Sequence, residues 1–274
     1  MPEGFSLPEG MHRYALGIEY DGRNYCGWQF QDHSPSVQEA VETALSKVAN
    51  APVRVACAGR TDTGVHATGQ VVHFDSGVKR TARQWRLGAN ANLPADIAIQ
   101  WLQPVSAQFH ARFSALSRRY LYLIANTKER PALLSRQVSW YRQNLDISAM
   151  RDCLELFRGE QDFSSFRAVK CQAHSPIRRI DQIKLLDRGH WLALDIEANG
   201  FLHHMVRNIL GALIAVGSGE LSKSKLAEIL ALKDRKFAPA TASPDGLYLI
   251  DVSYPPEFEL PKIEPWPLQL ITAD

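Results

Sequence analysis

The spacing of hydrophobic and polar positions changes period along this chain. From His12 to Tyr20 the apolar residues Tyr14, Leu16, Ile18 and Tyr20 recur at every second position, as in a strand with one buried face. A polar stretch, 21–35, follows. It carries Trp28 and Phe30, which suit either core packing or stacking on a base. The period then lengthens: Val37, Ala40, Val41, Ala44, Leu45 and Val48 share one helix face, and Ser36 with Glu39 forms a capping box before them. Pro52 introduces an apolar run at 53–58, and a second follows at 70–74. Thr81 and Gln84 make another capping box, for a short helix around Trp85 and Leu87, and 97–102 reads as a strand. The order is β-α-β-β-α-β, that of a ferredoxin-like unit.

The second half repeats the order. Residues 119–124 (RYLYLI) faintly echo 13–18 (RYALGI). A helix is expected at 148–157, with Met150, Leu154 and Phe157 on one side. Strands at 180–186 and 191–198 join through Asp187, Arg188 and Gly189. The strongest helical pattern runs over 201–216, and a strand at 246–252 closes the half. An extra helix fits 222–232, with Ser222 as N-cap. The pattern predicts an α+β fold of two ferredoxin-like halves, 12–112 and 113–255, with mainly antiparallel sheet and helices on one side. Residues 1–11 are expected to be a disordered leader. Residues 256–274, rich in proline, are expected to be an extended tail.

Between 53–58 and 70–74 lies the stretch GRTDTGVHATGQ, 59–70. Gly59, Gly64 and Gly69 surround Arg60 and Asp62. This presents a carboxylate on a bending loop between two strands, the usual placing of a functional group. Two other readings compete. Asp in such a loop is often only a turn residue. The triplet Asp62-Thr63-Gly64 also suggests an aspartic hydrolase, in which two carboxylates share a proton. That triplet occurs once, and the neighbouring Arg60 favours a fully ionised carboxylate.

Composition narrows the class. The chain has 274 residues, 45% hydrophobic and 22% charged, as expected of one or two globular domains. No apolar run approaches a membrane span of about 20 residues, and the acidic start lacks the pattern of a signal peptide. Cys26, Cys57, Cys153 and Cys171 form no CxxC pair and read as free thiols in a reducing cytoplasm. The net charge is only +2, yet 112–179 holds thirteen Lys/Arg against six Asp/Glu, a local excess that suits a polyanion. Arg118, Arg119, Arg178 and Arg179 are the candidates for phosphate contact. His66 and the pair His203-His204 invite a metal reading, but they lack the spacing and partner types of a zinc site.

Further strings accompany GRTDTGVHATGQ: DGRNYCGWQFQ at 21–31, SVQEAVETAL at 36–45, FHARFSALSRRYLY at 109–122, GFLHHMVRNILGAL at 200–213 and DGLYL at 245–249. In these strings, and in their order, the chain resembles the tRNA pseudouridine synthase A family over roughly residues 12–255. The resemblance implies isomerisation of uridine to pseudouridine in the anticodon arm of tRNA, at positions 38 to 40, by a cytoplasmic homodimer. The reaction breaks the ribose bond to uracil N1, turns the base and rejoins it through a ring carbon. Its atoms are conserved and no electron is transferred, so no cofactor is required. The resemblance makes Asp62 the catalytic carboxylate. It makes Tyr120 the active-site tyrosine, a choice that spacing leaves open because Tyr122 shares its strand face. Arg207 is implied as the partner of the carboxylate, in a helix whose earlier residue His203 shares its face. Arg60 is implied to fill the space of a flipped-out uridine or hold a phosphate, and Leu247 to wall the uracil pocket. A non-catalytic RNA-binding ferredoxin-like module is the competing reading from another class.

Overall fold

The computed structural model describes residues 7–169 and 171–262. The chain forms two compact units. Among the described residues, one holds those up to Leu116 and 249–262; the other holds those within Ser117–Tyr248.

In the first unit β1 (His12–Tyr20), α1 (Val37–Ala49), β2 (Val55–Cys57), β3 (His66–Ser76), α2 (Ala82–Asn90) and β4 (Ile97–Val105) follow in β-α-β-β-α-β order. β1 runs between β3 and β4 and antiparallel to both, with Leu16 opposite Val72 on one side and Leu102 on the other. β2 is short and pairs with β3 from Val55 opposite Phe74 to Cys57 opposite Val72. The chain beyond Cys57 is therefore released as a loop just where the candidate carboxylate lies. Both N-caps form, the second as the full expected capping box and the first through its serine bond. The Ser36 hydroxyl accepts from Glu39 N–H at 3.3 Å, and Thr81 and Gln84 bond reciprocally. α1 stops at Asn50, which takes the left-handed conformation that ends many helices. Trp28 is buried and Phe30 is exposed, so core packing claims the first of the two loop aromatics. Tyr14, Phe74 and Trp85 form the aromatic centre, with ring centroids of Phe74 and Trp85 5.0 Å apart.

In the second unit β5 (Ser117–Asn126), β6 (Ser139–Tyr141), α3 (Ile147–Asp152), β7 (Gly159–Asp162), β8 (Ile177–Arg188), β9 (Trp191–Ala198), α4 (Met205–Gly217) and α5 (Lys223–Leu232) precede β10 (Leu247–Ser253). β9 pairs antiparallel with β5 and β8, and β7 pairs antiparallel with β8. β6 lies parallel to β5, Ile124 opposite Ser139. β10 begins in this unit, but from Leu249 it belongs to the first, beside β3. The whole is α+β with a mostly antiparallel sheet, as expected. β6 and β7 lie outside the expected elements.

Two of the expected helices are shorter than expected, and the tail holds a turn. The helix expected at 148–157 stops at Asp152, and Leu154–Phe157 forms a separate 3-10 turn. The helix expected from 201 starts at Met205, because His204 takes φ 63° and cannot continue a right-handed helix. In the tail, Pro256–Phe258 is a 3-10 turn, and Phe258 packs its ring 5.1 Å from that of Phe109. The start of the leader, 1–6, and the tail from 263 lie outside the described residues. Among the described residues no helix is long and apolar enough to cross a membrane.

Candidate active site

The Asp62 loop is built from backbone bonds. Ala58 N–H donates to Val71 O at 2.8 Å, the last rung before the loop departs. The loop then turns tightly: Val65 N–H donates to Asp62 O at 3.1 Å while Gly64 takes φ 77°. Gly64 is thus required by conformation, whereas Gly69 is required by space, since a Cβ there would lie 2.2 Å from Ile250 O. The turn is closed through the backbone carbonyl of Asp62. Arg60 is exposed and Asp62 half-buried.

A second segment, 25–28, holds the loop from the side. Trp28 N–H donates to Thr61 O at 3.0 Å, and Gly64 N–H donates to Tyr25 O at 3.3 Å. The Thr61 and Tyr20 hydroxyls share a buried hydrogen bond of 2.8 Å. His66, one of the three histidines considered for metal, is an interior acceptor instead. Its Nδ1 takes the Gly22 N–H at 3.2 Å and lies 3.2 Å from an Asp21 oxygen.

In the second unit the tyrosines that spacing could not separate have different surroundings. Tyr122 is fully buried and its hydroxyl is bonded to Ser139 Oγ and Ser243 O. Burial pushes that hydroxyl well above the usual tyrosine range. It ties β5 to β6 and to the segment before β10. Tyr120 packs edge-to-face on Phe201, with centroids 5.1 Å apart.

Arg207 sits in the first turn of α4. Its Nε donates to Ala242 O at 2.8 Å, and Ala242 N–H returns a bond to Arg207 O at 3.1 Å. The shared face with His203 is lost, because His203 precedes the helix; its ring stands 4.1 Å from that of His204. Next along α4, Asn208 is buried and bonds three elements: its Nδ2 donates to Phe166 O, and its Oδ1 accepts from Thr241 and Arg235. Sequence reasoning missed Asn208. A lone amide in an apolar helix was the available signal. Leu247 is buried at the start of β10.

The four phosphate candidates divide. Arg119 forms a two-pronged bond to the buried Asp195, and Arg179 bonds Asp181 at 2.6 Å. Arg118 donates to Asn199 O at 3.3 Å, and Arg178 to Ser175 O at 3.0 Å and Ile177 O. Burial draws the Arg178 pKa below its ordinary value.

A mixed α+β fold with an aspartate on a braced glycine loop is the setting of a carboxylate enzyme, and the comparisons say which kind. A family model described as tRNA pseudouridine synthase matches residues 17–114 and 154–255, which include the Asp62 loop, Tyr25, Trp28, Arg207 and Leu247. A tRNA pseudouridine synthase A of Shewanella piezotolerans is 54% identical over 259 residues, 94% of this chain and 99% of that one. One of Pseudomonas aeruginosa is 54% identical over 258 residues, 94% and 90% of the two chains. Among solved structures, the archaeal box H/ACA sRNP Nop10–Cbf5 complex aligns over 85% of this chain and 59% of that one, at 10% identity and a TM-score of 0.35. The chain belongs to the tRNA pseudouridine synthase family.

Proposed function

We propose that this chain isomerises uridine to pseudouridine in tRNA, in the anticodon arm at positions 38 to 40. The observation that carries the reading is the family match across both units together with relatives of the same name over nearly their whole length. Neither the binding-module reading nor the hydrolase reading has comparable support.

The chemistry assigns the residues. The bond from ribose C1′ to uracil N1 breaks, the base turns, and C1′ bonds to C5. C5 gives up its proton and N1 ends with one, so the reaction is balanced without any cofactor. Asp62 supplies the carboxylate beside sugar and base. Arg207 holds that carboxylate ionised. The Tyr120 ring stacks on the uracil and its hydroxyl takes part in proton transfer, a role that the Tyr122 hydroxyl, engaged by Ser139 and Ser243, is poorly placed to take. Leu247 walls the detached base, and Arg60 occupies the space that the uridine leaves. Arg178, whose observed partners are carbonyls, suits phosphate contact better than Arg119 and Arg179, whose observed partners include carboxylates, and Arg118 stays a candidate beside it. The working form is a cytoplasmic homodimer.

Tritium release from tRNA labelled at uracil C5 tests the reading, with wild type and Asp62→Asn. The label leaves when C5 bonds to the sugar. Release by wild type alone is expected. Tight tRNA binding without release by either protein would move the assignment to a binding module, and undiminished release by the variant would move it to another carboxylate.

A further inference from the structure

Gln70 lies in β3, beneath the point where the Asp62 loop leaves the sheet. The Ala58 N–H is still paired with Val71 O; the next carbonyl, that of Gly59, is past the ladder. Gln70 takes it, with Nε2 donating to Gly59 O at 2.7 Å. Two residues further, Thr61 is held by the Tyr20 hydroxyl and by Trp28 N–H. Arg60 therefore lies between two fixed points, and Asp62 follows directly on the second.

The other half of the Gln70 amide has no such use. Gln70 is 0% exposed, and among the described residues no donor reaches its Oε1. Turning the amide over would set its oxygen against the Gly59 oxygen, so the orientation is determined. A buried oxygen without a donor costs stability that an apolar side chain of similar size would not. The amide is thus a poor choice for packing alone, and what its bonded half holds is the root of the loop.

We propose that Gln70 is a positioning residue for the reacting carboxylate. By fixing the Gly59 carbonyl it sets where the loop starts, and with the Thr61 anchor it sets where the Asp62 side chain can reach. Small misplacements matter at this scale, since 1 Å at a reacting group costs about 100-fold in rate. The inference rests on the reading of Asp62 as that carboxylate.

The test is single-turnover tritium release from C5-labelled tRNA transcript, with tRNA binding and thermal unfolding measured in parallel. The proteins are wild type, Gln70→Leu, Gln70→Glu and Asp62→Asn. Gln70→Leu is expected to melt at or above the wild-type temperature, to bind tRNA within about two-fold, and to turn over roughly 30- to 100-fold more slowly. In Gln70→Glu only the protonated carboxyl can donate to Gly59 O, so its rate relative to wild type rises as the pH falls. A role in packing alone predicts no such profile. Wild-type turnover by Gln70→Leu overturns the proposal, as does a rate loss that tracks a lowered melting temperature, or a Gln70→Glu rate ratio independent of pH. If Asp62→Asn turns over, the reading of the carboxylate itself fails. If Asp62→Asn is inactive while Gln70→Leu is fast, only the positioning role fails.

Discussion

Gly27 sits against Thr61 so closely that a Cβ on Gly27 would come within 2.5 Å of the Thr61 carbonyl oxygen. It would also come within 3.0 Å of the Asp62 carbonyl carbon, and Gly27 takes φ 91°. Both obstacles are backbone atoms, so no side chain can swing aside. Gly27→Ala must push the segment or the Asp62 loop away. Turnover is expected to fall at least about 10-fold, with a stability loss of about 1–3 kcal/mol. Gly219→Ala is the control: it has φ 80° and nothing within 4 Å of the added carbon. It should lose stability alone. Tritium release per folded molecule, with thermal melts, separates the two effects.

How far the sequence reached depends on which residues are considered. The alternation of Tyr14, Leu16, Ile18 and Tyr20 with Arg13, Ala15, Gly17 and Glu19 led to β1, although both of its faces are buried, and the helical face from Val37 to Val48 led to α1. β3 was expected only at 70–74 and runs from His66 to Ser76, because it is buried on both faces and has no alternation to read. The start of α4 was misplaced because Phe201 and Leu202 extend its apolar pattern backwards, while the decisive event is the left-handed backbone at His204. In the site, the glycine spacing located the loop but not what braces it. Gln70 reaches a carbonyl eleven residues earlier, and Tyr20 a hydroxyl 41 residues later. Such pairings are made by the fold and leave no local period.

The two tyrosines of β5 should respond oppositely to loss of the hydroxyl. Tyr122→Phe removes the bonds to the half-buried Ser139 Oγ and to Ser243 O, a cost of about 0.5–1.5 kcal/mol. Its turnover per folded molecule should stay within about two-fold. Tyr120→Phe keeps the ring on Phe201, while its turnover per folded molecule falls roughly 100-fold or more if the hydroxyl carries a proton. The reverse pattern would reassign the active-site tyrosine. Urea titrations and tritium release on both variants decide it.

His73 makes stability depend on acidity. Burial, reinforced by the charges of His110 and Arg13, lowers its pKa from 6.5 to about 3. Its Nδ1 accepts the Ala111 N–H at 3.2 Å, a bond that needs that nitrogen unprotonated. Between pH 6.5 and about 3 the unfolded chain therefore binds a proton at this residue that the folded chain does not. Stability is complete above 6.5 and falls with acidification by about 1.4 kcal/mol per pH unit from this group. His110 is also depressed, with burial the first cause, and adds a loss of the same sign. His73→Gln keeps an acceptor for Ala111 and removes the titration. Its unfolding free energy, measured in urea from pH 7 to 4, should decline more shallowly than that of wild type.

The basic segment offers a test in which binding and stability part company. Arg119 is committed to Asp195, whose carboxylate is buried, and the pair joins β5 to β9. Arg119→Ala leaves that carboxylate largely without its cation. The expected cost is about 2–3 kcal/mol of stability, below that of a wholly buried pair because Arg119 is partly exposed. Its effect on tRNA affinity per folded molecule should be small. Arg118 donates to Asn199 O at 3.3 Å, and Arg118→Ala removes its charge from the basic segment. If Arg118 neutralises a phosphate, the variant weakens tRNA binding, and the slope of log affinity against log salt becomes shallower by about 0.7–0.9. Filter binding of tRNA across a salt series, with melts of both variants, gives the two quantities independently. An unchanged slope for Arg118→Ala would remove it from the RNA surface. A lowered slope for Arg119→Ala, with stability intact, would mean that the Asp195 pair opens to admit the phosphate.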